Sequence, residues 1–177
     1  FGVDDATLSV VKGAVEAVCG LAGHEMGEMD AELGSNLMMF FFRDWKELLD
    51  VPGMDRLVED LAPLVARLEA AEANQYRFFR FDKRGAIKAC FVFLRMDAHL
   101  STVPAHTLAL SQIVQSMLMW SDGAFQDRSP LAVAGETTVL QPDVAALLRA
   151  AYDPVLPVAA RDPAHALRLA ARIGVLQ

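Results

Sequence analysis

Hydrophobic positions in this chain change period several times, and each change marks an element. Leu8, Val11, Val15, Val18 and Ala22 recur at steps of three and four, one face of an amphipathic helix. Asp4 or Asp5 suits its cap, and the glycines from Gly20 to Gly23 suit its end. Residues 37–49 open on an uninterrupted apolar run, LMMFFF, and turn polar only from Arg43. This spacing predicts a helix apolar nearly all round in its first half, central or at an interface. Asp50 and Pro52 then open a further helix with Leu57, Leu61, Leu64 or Val65, and Leu68 as its stripe. Pro63 is expected to kink it, since it removes a backbone donor.

The period shortens to two in YRFFRFDKRGAIKACFVFLRM, where two strand-like runs flank Lys83, Arg84 and Gly85. A three-residue loop with Gly85 in the left-handed position sets Phe81 opposite Ile87 and Phe79 opposite Ala89. One face then collects Phe79, Phe81, Ile87, Ala89, Phe91 and Phe93, with Arg77 at its end. The other mixes Tyr76, Phe78, Cys90, Val92 and Leu94 with Arg80 and Lys88. The second run is longer than the first, so its edge calls for pairing. Two partners suggest themselves: LAVAGETTVL, as strands 131–134 and 137–140 around Gly135-Glu136, or the same hairpin in a second copy.

Helical spacing returns after Thr102 and Pro104, running to about Trp120 with Leu110, Val114, Met117 and Ser121 inward. Two short tail helices follow, 142–152 and 163–173, joined by the proline-marked DPVLPVAARDP. The elements add up to one α+β domain over residues 1–177. Its expected core is a small antiparallel sheet built on the central β-hairpin at about 76–96, packed by five to six helices. Helices 37–49 and 104–120 are expected on the phenylalanine face.

Composition narrows the function classes. A hydrophobic share of 54% with 22% charged residues belongs to a chain that folds, not to a disordered one. LMMFFF is far short of the roughly 20 apolar residues that cross a bilayer, so no membrane span is expected. Two cysteines, Cys19 and Cys90, are too few for a disulfide framework and point to the cytoplasm. A net charge of −7 argues against nucleic acid and against an anionic membrane. Charge is nonetheless segregated: residues 25–72 hold twelve acids and four bases, residues 77–95 six bases and one acid. Acids on the 54–72 helix are therefore expected to screen the basic hairpin, within one chain or between two.

Four stretches carry candidate chemistry. GHEMGEMDAELGSN crowds His24, Glu25, Glu28, Asp30 and Glu32 together, but its three glycines and the missing second histidine read as a solvated acidic corner, not a metal site. RMDAHLSTVPAH places Asp97, His99 and His106 within ten positions at a strand-to-helix junction. There they would serve as a facial two-histidine, one-carboxylate metal site or as an acid–base pair with Ser101 or Thr102 nearby. Tyr76, Arg77, Arg80 and Lys88 combine cations with aromatic surface, suited to an anionic small-molecule ligand. Met38 to Phe42, with Met117, Met119 and Trp120, would line an apolar pocket. No Gly-x-Ser-x-Gly, phosphate-binding glycine loop or paired zinc cysteines occur. The expected function is a non-enzymatic binding or interaction module acting as a homodimer. The alternative is a small enzyme or sensor using Asp97, His99 and His106, with or without a divalent metal.

Overall fold

The structure, a computed structural model, describes residues 3–25, 27, 35–83, 87–96, 105–118, 130–134, 137–155 and 171. Helix α1 (Asp5–Leu21) starts where expected, with the Asp4 carboxylate accepting the Thr7 N–H at 2.7 Å. It buries Val11, Ala14 and Val18. The chain then enters β1 (Leu37–Phe42), a 3-10 helix (Trp45–Asp50), α2 (Met54–Leu57) and α3 (Leu61–Ala70). Strands β2 (Gln75–Phe81) and β3 (Ile87–Arg95) form the hairpin. Helix α4 (Ala105–Met117), a second hairpin of β4 (Leu131–Ala134) and β5 (Thr137–Leu140), and α5 (Pro142–Ala151) complete the described elements. Expected helix 163–173 lies outside the described residues, apart from Ala171 in helical conformation.

The class is α+β, but the strand that completes the sheet corrects the sequence reading. LMMFFF is β1, not a helix, and it runs parallel to β3, with Leu37 opposite Cys90 and Phe42 opposite Arg95. The order β1-β3-β2 makes the three-stranded sheet mixed, with β3 at its centre. A strand buried on both faces shows no alternation, so its apolar run cannot be told by period from a buried helix. β4 and β5 pair with each other in a separate two-stranded sheet, as expected of them locally, and do not extend the first. They rest on α4, where the Thr107 hydroxyl lies 3.0 Å from that of Thr138.

The hairpin register also differs from the expected one. Phe81 does face Ile87, but the pairing slips between Phe81 and Arg80, so Arg80 faces Ala89 and Phe79 faces Cys90. Lys88 is the extra residue of this bulge, and it is exposed. The slip exchanges partners from there on. Phe79 joins Cys90, Val92 and Leu94, with Leu37, Met39 and Phe41 from β1; Tyr76 and Phe78 join Ala89, Phe91 and Phe93, with Met38, Phe40 and Phe42. Phe81, left near the turn, is 51% exposed.

Both faces of the sheet are thus apolar and both are covered. α1, α4 and α5 pack on the first through residues such as Val18, Ile113, Val114 and Leu148. The 3-10 helix, α2 and α3 pack on the second through Trp45, Leu48, Met54, Leu64 and Val65. Rings of Phe78 and Phe91 stack at 4.6 Å and those of Phe40 and Phe93 at 5.0 Å. Each fully buried ring contributes roughly 1.5–3 kcal/mol of transfer free energy. Trp45, wholly buried, also donates its indole N–H to the Ala73 carbonyl at 2.7 Å, tying the 3-10 helix to the end of α3.

Pro63 does not kink a long helix. The expected helix is two, divided at Val58 to Asp60, with Gly53 (φ 80°) before the first and Asp60 (φ 53°) before the second. Pro63 therefore falls in the first turn of α3, where its missing N–H has no intrahelical acceptor to lose. No helix among the described residues is long and apolar enough to cross a membrane.

Candidate functional site at the carboxyl end of the parallel strands

Parallel strands deliver their carboxyl ends to the same edge, and crevices at that edge are where open α/β sheets bind ligands. Here β1 ends at Phe42 and β3 at Arg95, and a cleft of about 660 Å³ opens beside them. Phe41, Phe42 and Arg43 from β1, and Met96 just past β3, line its inner side. Val3, Asp4 and Thr7 come from the start of α1, and Glu47, Asp50, Val51 and Pro52 from the 3-10 helix and its exit. Its size is within the range typical of small-molecule sites, roughly 300–1,000 Å³.

Local chemistry shapes the cleft wall. Asp44 caps the 3-10 helix by accepting the Lys46 N–H at 2.9 Å, and this bond holds its carboxyl below the usual carboxylate range. Glu47 reaches back to accept the Arg43 N–H at 3.3 Å, which fixes the turn out of β1. The Asp4 carboxyl is likewise held low, chiefly by its bond from Thr7, and so stays ionised at the mouth. Among the described residues the lining holds three acids, Asp4, Glu47 and Asp50, one base, Arg43, and apolar side chains including Phe41, Phe42, Val51 and Met96. Phe41 and Phe42 belong to the run expected to line an apolar pocket, whereas the spacing of Asp4, Arg43, Glu47 and Asp50 marks none of them as a site, because their segments meet only in three dimensions. The signal available in sequence was the polar cluster Arg43-Asp44 ending an apolar run.

The four ligand-binding candidates do not converge. Tyr76 and Arg80 belong to the face covered by α2 and α3: the Tyr76 ring packs 6.1 Å from both Phe78 and Phe93, and Arg80 lies 5.4 Å over Phe91 while donating to the Leu57 carbonyl at 2.9 Å. It is a backbone carbonyl of α2, that of Leu57, that meets Arg80. Arg77 points to the opposite face and donates to the side-chain carbonyls of Gln112 at 3.0 Å and Gln115 at 3.3 Å on α4. Gln112 donates in turn to Gln75, and Gln115 to Ser111 at 2.8 Å. This network was missed in sequence, although Gln112 and Gln115 stand three apart on a helix and so share a face. Lys88 is exposed at the bulge.

Of the other expected groups, Asp97 and His99 lie outside the described residues. His106 is half-buried in the first turn of α4 and is not part of the described cleft lining. In the acidic corner, Glu28, Asp30 and Glu32 fall outside the described residues, and His24 sets its ring edge-on to Tyr152 at 5.4 Å. Met117 carries Tyr152 on its backbone carbonyl at 2.8 Å, while Met119 and Trp120 fall outside the described residues. Burial pushes the Tyr152 phenol up to about 12, with Cys19 and Cys90 nearby adding to the shift. Both thiols are free, and burial raises them too; for Cys90, Ser116 and Arg77 pull the other way. Protonated thiols packed in a core are poor nucleophiles. No group of three or more His, Cys, Asp or Glu side chains among the described residues is placed to hold a metal ion. Comparison of the chain with family models, curated proteins and solved structures returned no match.

Proposed function

We propose that the chain is a non-enzymatic binding domain that holds a small-molecule ligand in this cleft and works as a homodimer. The observation that carries the ligand reading is the cleft's position, at the carboxyl ends of two parallel strands with helix α1 starting at its rim. Titration with a fragment panel, followed by amide and methyl resonances, tests it. Perturbations should concentrate at Phe41, Phe42, Val51 and Met96; perturbations confined to other surfaces overturn the reading.

The dimer reading moves from β3, which β1 pairs, to the outer edge of β1 itself. The Asn36 carbonyl accepts the Cys90 N–H at 2.8 Å, so by alternation Leu37, Met39 and Phe41 turn their N–H and C=O groups away from β3. Among the described residues β1 has no second strand neighbour, and it carries none of the charges, prolines or bulges that blunt edges. β2, the opposite edge, carries Arg77 and Arg80 and ends in the bulge. Antiparallel pairing of β1 with its copy would satisfy these groups. Light scattering over a dilution series should give a dimer that Met39→Pro, which removes an outward N–H of the β1 edge and no bond to β3, dissociates while helix content is kept; a monomer at tens of micromolar removes it. Net charge −7 supports a partner other than nucleic acid, and two free thiols support the cytoplasm.

A second reading, an enzyme or sensor using Asp97, His99 and His106, is favoured by one placement. β3 brings the chain to the cleft at Met96, directly before Asp97 in sequence. Protein purified without chelator should then carry a stoichiometric divalent metal that His99→Ala removes; metal-free protein sinks the metal-dependent form.

A further inference from the structure

We infer that two copies of the chain pair β1 with β1 in one register, with Met39 on the two-fold axis and Leu37 opposite the partner's Phe41; the inference rests on the dimer reading. A two-fold axis normal to the sheet makes the pairing antiparallel and closes the assembly at two copies. The groups that β1 turns outward belong to Leu37, Met39 and Phe41, three alternate residues centred on Met39. Only when Met39 meets itself does each of the three face another of the three, so that six hydrogen bonds use every outward N–H and C=O of both strands. A slip of two residues sets Phe41 opposite the partner's Ser35, or Leu37 opposite the partner's Arg43, outside the strand. A slip of one sets outward groups against residues whose own groups are turned to β3.

Side chains fit the same register. Directly opposed residues share a face, so Leu37 lies beside the partner's Phe41 on the side of α1, α4 and α5, and Met38 beside the partner's Phe40 on the side of α2 and α3. Cover within one copy fades along β1: Phe41 and Phe42 are buried, whereas Leu37 to Phe40 are half-buried. Antiparallel pairing sets the less covered start of one strand against the buried end of the other, and so closes apolar surface that a single copy leaves open. Charge agrees with this direction. Residues 25–34, which lead to β1, hold four acids and no Lys or Arg, while Arg43, exposed at the exit, falls opposite the partner's Ser35, next in sequence to that stretch. β1 itself has no charged residue, so two chains of net charge −7 meet at a seam free of like charges. The strands then run β2-β3-β1-β1-β3-β2 in one six-stranded sheet.

Disulfide trapping in a Cys19→Ala background reads the register; Cys90, the other native thiol, is buried. Met39→Cys puts two cysteines across the axis at a Cα separation of about 5.5 Å, within disulfide reach, whereas residues 38 and 40 each lie diagonal to their own copies, about 7–8 Å away. Under mild oxidation Met39→Cys should form covalent dimer about tenfold faster than Met38→Cys or Phe40→Cys alone, and a mixture of those two should trap as the heterodimer. In the unaltered protein, mixed labelled and unlabelled copies should show a contact between the α-protons of Met38 and the partner's Phe40, a readout that depends on no variant folding. If Met38→Cys or Phe40→Cys alone traps as fast as Met39→Cys, or the α-proton contact is missing from a protein that scatters as a dimer, the register is overturned while the dimer stands. A monomer at tens of micromolar removes the dimer and the register with it.

Discussion

Arg77 shows how one side chain can be read correctly for chemistry and wrongly for role. A cation next to aromatic residues suggests a ligand site, but its guanidinium is spent on Gln112 and Gln115 of α4, inside the molecule. Arg77→Ala would leave two glutamine carbonyls without their donor and should cost about 2 kcal/mol in urea unfolding. Arg80→Ala, on an exposed residue, should cost about 0.5 kcal/mol. Equal losses would contradict the different roles assigned here. Tyr152 offers a second residue-scale test. Its phenol is pushed up to about 12 in the folded chain, against about 10 for an unperturbed tyrosine, so the folded state favours the protonated form. That contribution is complete below pH 10 and is lost as pH rises from 10 to 12. A phenolate absorbance titration should show a step near 12 that Tyr152→Phe removes.

Elements were legible where their causes are local. Asp4 caps α1 at the expected residue because capping needs only a carboxylate and the N–H three positions on. β4 and β5 appear with the expected bounds because a short turn between β-favouring runs is a local signal. β1 was not legible, since the layers that cover its two faces come from distant sequence. The bulge was not legible either: Lys88 reads as an ordinary alternating residue, and only packing on both faces selects the slipped register. Pro63 gives this scale its prediction. Located in the first turn of α3, it should tolerate replacement by alanine within about 0.5 kcal/mol. A gain of about 3 kcal/mol would mean that the proline had been breaking a continuous helix.

For the molecule as a whole, the sheet is the shared wall of two cores. Phe93, 1% exposed, stands on the α2–α3 side, while its neighbours Val92 and Leu94 face α1, α4 and α5. Phe93→Ala should cost about 3–5 kcal/mol. Because β3 serves both cores, amide protection should fall by the same amount in α4 as in α3. Protection lost in α3 alone would show that the two sides open independently.

The sequence by itself determined the α+β class, the β2–β3 hairpin, the start of α1, the α4 core helix and the segregation of charge, because each follows from near-neighbour periodicity, capping or counting. Only the tertiary structure decided that LMMFFF is a parallel strand, that the hairpin bulges at Lys88, and that Arg77 faces inward. It alone brought Asp4, Arg43, Glu47 and Asp50 to one cleft. The physical reason is common to all four: strand pairing and site assembly depend on what covers a residue from far along the chain, and periodicity carries no record of that.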